Sequence, residues 1–94
     1  MSELRLKLFV AGDSPRARDA AANLARACLG IAAGGLHIDT IDILADPAAA
    51  DEFRVLTTPT VVRVSPAPRR RVTGDLRDIG QVLAALDLQP FTHA

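Results

Sequence analysis

LRLKLFVAGDSPRARDAAANL, Leu4 to Leu24, places a strand, a glycine break and a capped helix start in immediate succession, and that order decides the fold. From Leu4 to Val10 the pattern alternates, with Leu4, Leu6 and Leu8 on one side and Arg5, Lys7 and Phe9 on the other. This is the period of a strand with one buried face. Ala11-Gly12-Asp13 breaks it. Ser14 then offers a hydroxyl to the free amides of a helix start, and Pro15 stands at the first helical position, where its missing N–H costs nothing. Beyond it Ala17, Ala20, Ala21, Leu24, Ala27, Cys28 and Ile31 recur at three- and four-residue steps, while Arg16, Asp19, Asn23 and Arg26 occupy the opposite stripe. One face is expected to be buried and the other wet, with Gly30 and Gly34-Gly35 ending the helix and turning the chain.

The remaining chain continues the alternation of strand and helix. Leu36 to Leu44 is β-prone, but its pattern slips near Thr40-Ile41, which predicts a bulge or a change from half to full burial. Asp46-Pro47 repeats the cap-then-proline signal and opens a short alanine-rich helix through about Phe53. After the connector Arg54 to Thr58, the β-branched run Thr60 to Val64, a turn over Ser65 to Pro68 and the segment Arg70 to Thr73 read as a hairpin. Asp78 with Gln81 three residues later makes a capping-box-like start, and Ile79, Val82, Leu83 and Leu86 share a face of a helix ending near Leu88, before Pro90. The order β-α-β-α-β-β-α predicts an α/β, thioredoxin-like single domain over residues 1–94, with a mixed sheet covered by helices.

Composition narrows the function classes. The chain has 94 residues, enough for one small core and a thin stability margin. With no Trp or Tyr and only Phe9, Phe53 and Phe91 aromatic, that core must be aliphatic and alanine-rich. Formal charge balances at zero, which argues against nucleic acid as a partner. Ten of the eleven basic residues are arginine, Lys7 being the exception, and arginine favours bidentate pairing at protein interfaces. The opening residues MSELRLKLFV contain neither a signal-peptide core nor a membrane span, so a cytoplasmic setting without membrane contact is expected.

The chemistry-bearing residues point away from catalysis. In a thioredoxin-like fold a reactive Cys-x-x-Cys follows the first strand, and here that place reads Ala11-Gly12-Asp13-Ser14-Pro15. Cys28 is the one cysteine; it lies on the apolar stripe, where a buried inert thiol is expected. His37 and His93 have no second ligand at metal spacing, so neither a metal nor a cofactor is expected. Asp39 and Asp42 alternate across a strand and cannot pair for acid–base work, which leaves them solvated or salt-bridged. Thr58-Pro59 precedes a strand in the context where this fold carries a cis-proline. Arg69-Arg70-Arg71 is the dense charge cluster, which reads either as a solvated turn or as a grip on acidic residues of a partner that also discourages stray edge pairing.

Several short matches occur in order and at consistent spacing: KLFVAG at Lys7 to Gly12 with Ser14-Pro15, IDIL at Ile41 to Leu44 with Pro47, TPT at Thr58 to Thr60. RRV at Arg70 to Val72, GDL at Gly74 to Leu76 and LDL at Leu86 to Leu88 continue the series. Together they resemble the KaiB family of circadian clock proteins. The resemblance implies a non-enzymatic, metamorphic protein that binds KaiC, a hexameric ATPase and autokinase. It implies a homo-oligomer at rest, tetramer or dimer, and a thioredoxin-like monomer when partner-bound. The segment from about Ala50 onward is rebuilt between the two forms, with Pro59, Ala85 and Asp87 as the expected fold-switch positions and Arg69, Arg70 and Arg71 as expected partner contacts. Asp19 and Asp39 stand where cyanobacterial members commonly carry basic residues. Ala85 stands where they carry glycine, which favours the helical conformer by about 0.8–1.0 kcal/mol. The competing expectations are a KaiB-like stress or signalling adaptor with another partner, and a redox enzyme, which the missing dithiol disfavours.

Overall fold

The computed structural model describes residues 4–29, 31 and 35–88. The elements run β1 (Leu4–Val10), α1 (Pro15–Ala27), β2 (Leu36–Asp42), α2 (Pro47–Phe53), β3 (Thr60–Ser65), β4 (Arg70–Thr73) and α3 (Ile79–Ala85). They build a four-stranded sheet in the order β2-β1-β3-β4, with β2 parallel and β3 antiparallel to β1, and β4 antiparallel to β3. This is the thioredoxin-like α/β arrangement that the element order implies.

Alternation along β1 sorts two cores. Leu4, Leu6, Leu8 and Val10 face α1 and α3, where they pack with Leu24, Val61, Val82 and Leu86. Phe9 points the other way and packs with Phe53 of α2 and Val62 of β3. Its burial is complete, so at its C-terminal end β1 is covered on both faces, as a central strand of an α/β sheet should be. Each fully buried Leu, Val or Phe side chain contributes about 1.5–3 kcal/mol, so the two clusters are the main stabilising term.

The helix starts follow local chemistry. Ser14 Oγ accepts from the Ala17 amide at 3.1 Å, Asp46 Oδ1 from Ala49 at 3.2 Å and Asp78 Oδ1 from Gln81 at 3.1 Å. All three caps were expected from sequence, two of them with proline at the first helical turn. On α1 the buried residues are Ala17, Ala20, Leu24 and Ala27.

Three expectations change. No bulge interrupts β2, which pairs with β1 in unbroken register from Leu4 opposite Leu36 to Val10 opposite Asp42. The slipping hydrophobic pattern has another cause: β2 is an edge strand, half-exposed or exposed along its length. The register shift lies instead between β1 and β3, where Arg5 opposes Ser65 and Leu6 opposes Arg63, so that Val64 is the extra residue. Ala21, expected on the buried stripe, is exposed, because that stripe runs through Ala17, Ala20, Leu24 and Ala27 and leaves Ala21 on its flank. Finally, α3 stops at Ala85, not near Leu88, because Asp87 takes a left-handed conformation with φ 54°. The readings placed on Gly30, Gly34, Pro90 and His93 lie outside the described residues.

Candidate partner-binding site

The junction between β1 and α1 is where a thioredoxin-like fold would hold its thiols. Gly12 has φ +70°, a left-handed value that glycine adopts without penalty. Its amide donates to Asp42 Oδ1 at 2.8 Å, and the same oxygen accepts from the Leu44 amide at 2.9 Å. These backbone donors, Gly12 first and then Leu44, hold the Asp42 carboxyl below the usual aspartate value. Beside the junction a cavity of about 160 Å³ opens between Val10, Ser14, Arg16 and Thr58-Pro59. The Thr58–Pro59 peptide is cis, matching the expectation from topology; Ser65–Pro66 and Ala67–Pro68 are cis as well.

No thiol faces that cavity among the described residues. Cys28 sits at the far end of α1, buried in the larger core, and burial pushes its thiol pKa up, which opposes nucleophilic use. Ser14 spends its hydroxyl oxygen on the Ala17 amide. What this end of the molecule presents instead is apolar surface: Leu44 in the turn after β2 is 71% exposed, and Leu56, in the connector before Pro59, is 93% exposed. Among the described residues no helix is long and apolar enough to cross a membrane.

The three consecutive arginines, all exposed, do not act as one group. Strand alternation sends neighbours to opposite faces. Arg71 turns toward α2 and donates to the carbonyls of Phe53 and Arg54 at the helix end, where a cation meets the negative pole of the helix. Arg69 lies over the Phe53 ring, 4.6 Å from its centroid, and Lys7 approaches the same ring at 5.7 Å. Arg70, opposite Arg63 in the β3–β4 register, makes no ion pair among the described residues. On the edge strand Asp39 pairs with Lys7 at 3.8 Å and with His37 at 3.1 Å, the salt-bridged role its sequence context suggests. Asp42 instead accepts backbone amides.

The expected fold-switch positions occupy element ends. Pro59 precedes β3, Ala85 is the last residue of α3, and Asp87 follows it. The Asp87 and Leu88 amides return to the carbonyls of Ala84 and Leu83 at 3.1 and 2.8 Å, a Schellman closure with aspartate where glycine is usual. One residue escaped the sequence reading. Arg63, in the middle of TVVRV, is only 4% exposed, and its guanidinium reaches the carbonyls of Leu86, Asp87 and Pro68. The available signal was a charged residue at a strand position that alternation assigns to the same buried face as Val61.

Comparison with known proteins agrees with this geometry. Among solved structures, the N-terminal domain of Synechococcus elongatus SasA superposes with a TM-score of 0.75 at 22% identity, covering 97% of this chain and 90% of that one. Thioredoxin 1 from Thermosipho africanus superposes at 0.67 with 15% identity, covering 88% and 90%. Both likenesses concern the fold. By sequence, circadian clock protein KaiB3 of Synechocystis sp. is 33% identical over 90 residues, 96% of this chain and 88% of that protein. Circadian clock oscillator protein KaiB of Prochlorococcus marinus (strain MIT 9211) is 41% identical over 83 residues, 88% of this chain and 73% of the relative. The KaiB domain model matches residues 7–88, and the chain therefore belongs to the KaiB family.

Proposed function

We propose that this chain is a non-catalytic regulatory module that docks on a KaiC-like hexameric ATPase and modulates its phosphorylation cycle. The observation that carries the reading is a KaiB-family chain whose thioredoxin-like junction has Gly12, Asp13 and Ser14 in place of a thiol pair. The junction keeps the shape of the fold and lacks its nucleophile, so its remaining use is contact. Exposed Leu44 and Leu56 at that end and the arginines on β4 supply an apolar and a cationic component for it. Arg69, Arg70 and Arg71 contribute to the partner face in this reading.

The free energy for regulation comes from differential binding. The ATPase captures the thioredoxin-like monomer and draws the population from a resting homo-oligomer, tetramer or dimer, in which the segment after Ala50 is rebuilt. Pro59, Ala85 and Asp87 belong to the parts that change, and the protein works in the cytoplasm.

Size-exclusion chromatography with light scattering tests this, run on the chain alone and with a KaiC-like ATPase plus ATP. The expected result is a free oligomer that converts to a heteromeric complex with the ATPase. A profile unchanged by such ATPases, or turnover of insulin disulfides by the chain alone, would overturn the reading.

A further inference from the structure

A buried arginine with no carboxylate beside it needs an explanation. Arg63 is 4% exposed, and among the described residues no acid pairs with it. Its Nη1 donates to the carbonyls of Leu86 at 2.9 Å and Asp87 at 3.2 Å, its Nη2 donates to the Pro68 carbonyl at 2.7 Å, and Nε has no partner among the described residues. All its acceptors are neutral, and they come from two segments that are distant in sequence. One is the end of α3, the other the turn between β3 and β4.

The acceptors at the end of α3 are those the helix cannot satisfy itself. The amides of Asp87 and Leu88 close on Ala84 and Leu83, which leaves the carbonyls of Leu86 and Asp87 pointing past the helix end. A guanidinium there meets the negative pole of the helix: its Nη1 donates to both carbonyls, while the other arm of the planar fork, Nη2, reaches the turn. A buried charge tolerates this environment only while its donors are occupied. With Nε already unpaired, withdrawal of either segment leaves the guanidinium further under-bonded in a desolvated place. Drawing it into water then releases the other segment as well.

We infer that Arg63 is a latch that makes the end of α3 and the β3–β4 turn a single cooperative unit, opening together while β1 and β2 stay paired.

Native-state amide hydrogen exchange on the full chain tests it, with Arg63→Lys and Arg63→Met as variants. In the unaltered protein the amides of Leu86 and Leu88 and those of Arg70 and Val72, the β4 amides that face β3, should exchange through one opening with a common denaturant dependence, faster than β1. Lysine keeps the charge but not the fork, and methionine keeps the stem without the charge. In both variants the two segments should accelerate together by about tenfold or more, with β1 much less affected. Acceleration of one segment alone, or equal acceleration of β1, would overturn the latch. Should Arg63→Met fail to fold, the Lys variant and the shared opening of the unaltered protein still decide it.

Discussion

The Gly12 amide lies 2.8 Å from Asp42 Oδ1, joining the end of β1 to the end of β2 through a side chain just where the parallel ladder stops. The bond favours the ionised carboxylate, and so does the Leu44 amide on the same oxygen. The folded-state pKa is therefore below the unfolded value of about 3.9. At acid pH the unfolded chain binds more protons than the native one, so the Asp42 contribution is fully present above about pH 3.9 and is lost as pH falls through the folded value. Thermal unfolding followed down an acid series should show a shallower loss of midpoint for Asp42→Asn than for the unaltered chain. Identical acid slopes would remove Asp42 from the linkage.

Phe53 closes the smaller core, its ring 5.4 Å from that of Phe9 and tilted by 48°. Few residues share that core, so little can collapse into a gap. Phe53→Ala should cost about 3–5 kcal/mol, read as a lowered urea midpoint. The loss should also free Arg69, whose guanidinium lies on the ring.

Glycine substitutions two residues apart should act with opposite sign. Ala85 is the last helical residue of α3, and Ala85→Gly should destabilise the thioredoxin-like form by about 0.5–1 kcal/mol. Asp87 holds φ 54° beside the negative helix pole, so Asp87→Gly removes both a left-handed strain and an unfavourable charge. It should stabilise by up to about 1 kcal/mol. Denaturant melts of the two variants check the pair of signs.

Arg70 and Arg71 should separate binding from stability. Arg70→Ala removes an exposed side chain with no ion pair among the described residues, so its effect on stability should stay within about 0.5 kcal/mol. Under the proposed function it weakens capture by a KaiC-like ATPase in pull-down. Arg71→Ala also forfeits the bonds to the Phe53 and Arg54 carbonyls, which should cost about 1 kcal/mol in a urea melt. Full retention of binding in the triple alanine variant of Arg69, Arg70 and Arg71 would remove the arginines from the partner face.

Legibility followed the range of the interaction. Ser14, Asp46 and Asp78 were readable as caps because a cap bonds within three residues of itself. The strand at Leu4 to Val10 and the hairpin around Ser65 to Pro68 were readable for the same reason. The edge position of β2 was not, since exposure on both faces depends on which strand lies beside it. Nor was the division of labour among Arg69, Arg70 and Arg71, which depends on where Phe53 and the end of α2 come to rest.

By itself, the amino-acid order determined the succession of elements, the helix starts and the absence of a thiol pair after β1, all set by neighbours within a few residues. Tertiary structure alone decided that Arg63 would be buried under the end of α3, that Asp42 would fasten two strand ends, and that Arg71 would hold α2. Each of those is a bond between segments far apart along the chain, formed only after packing has brought a donor from one to the free acceptors of another.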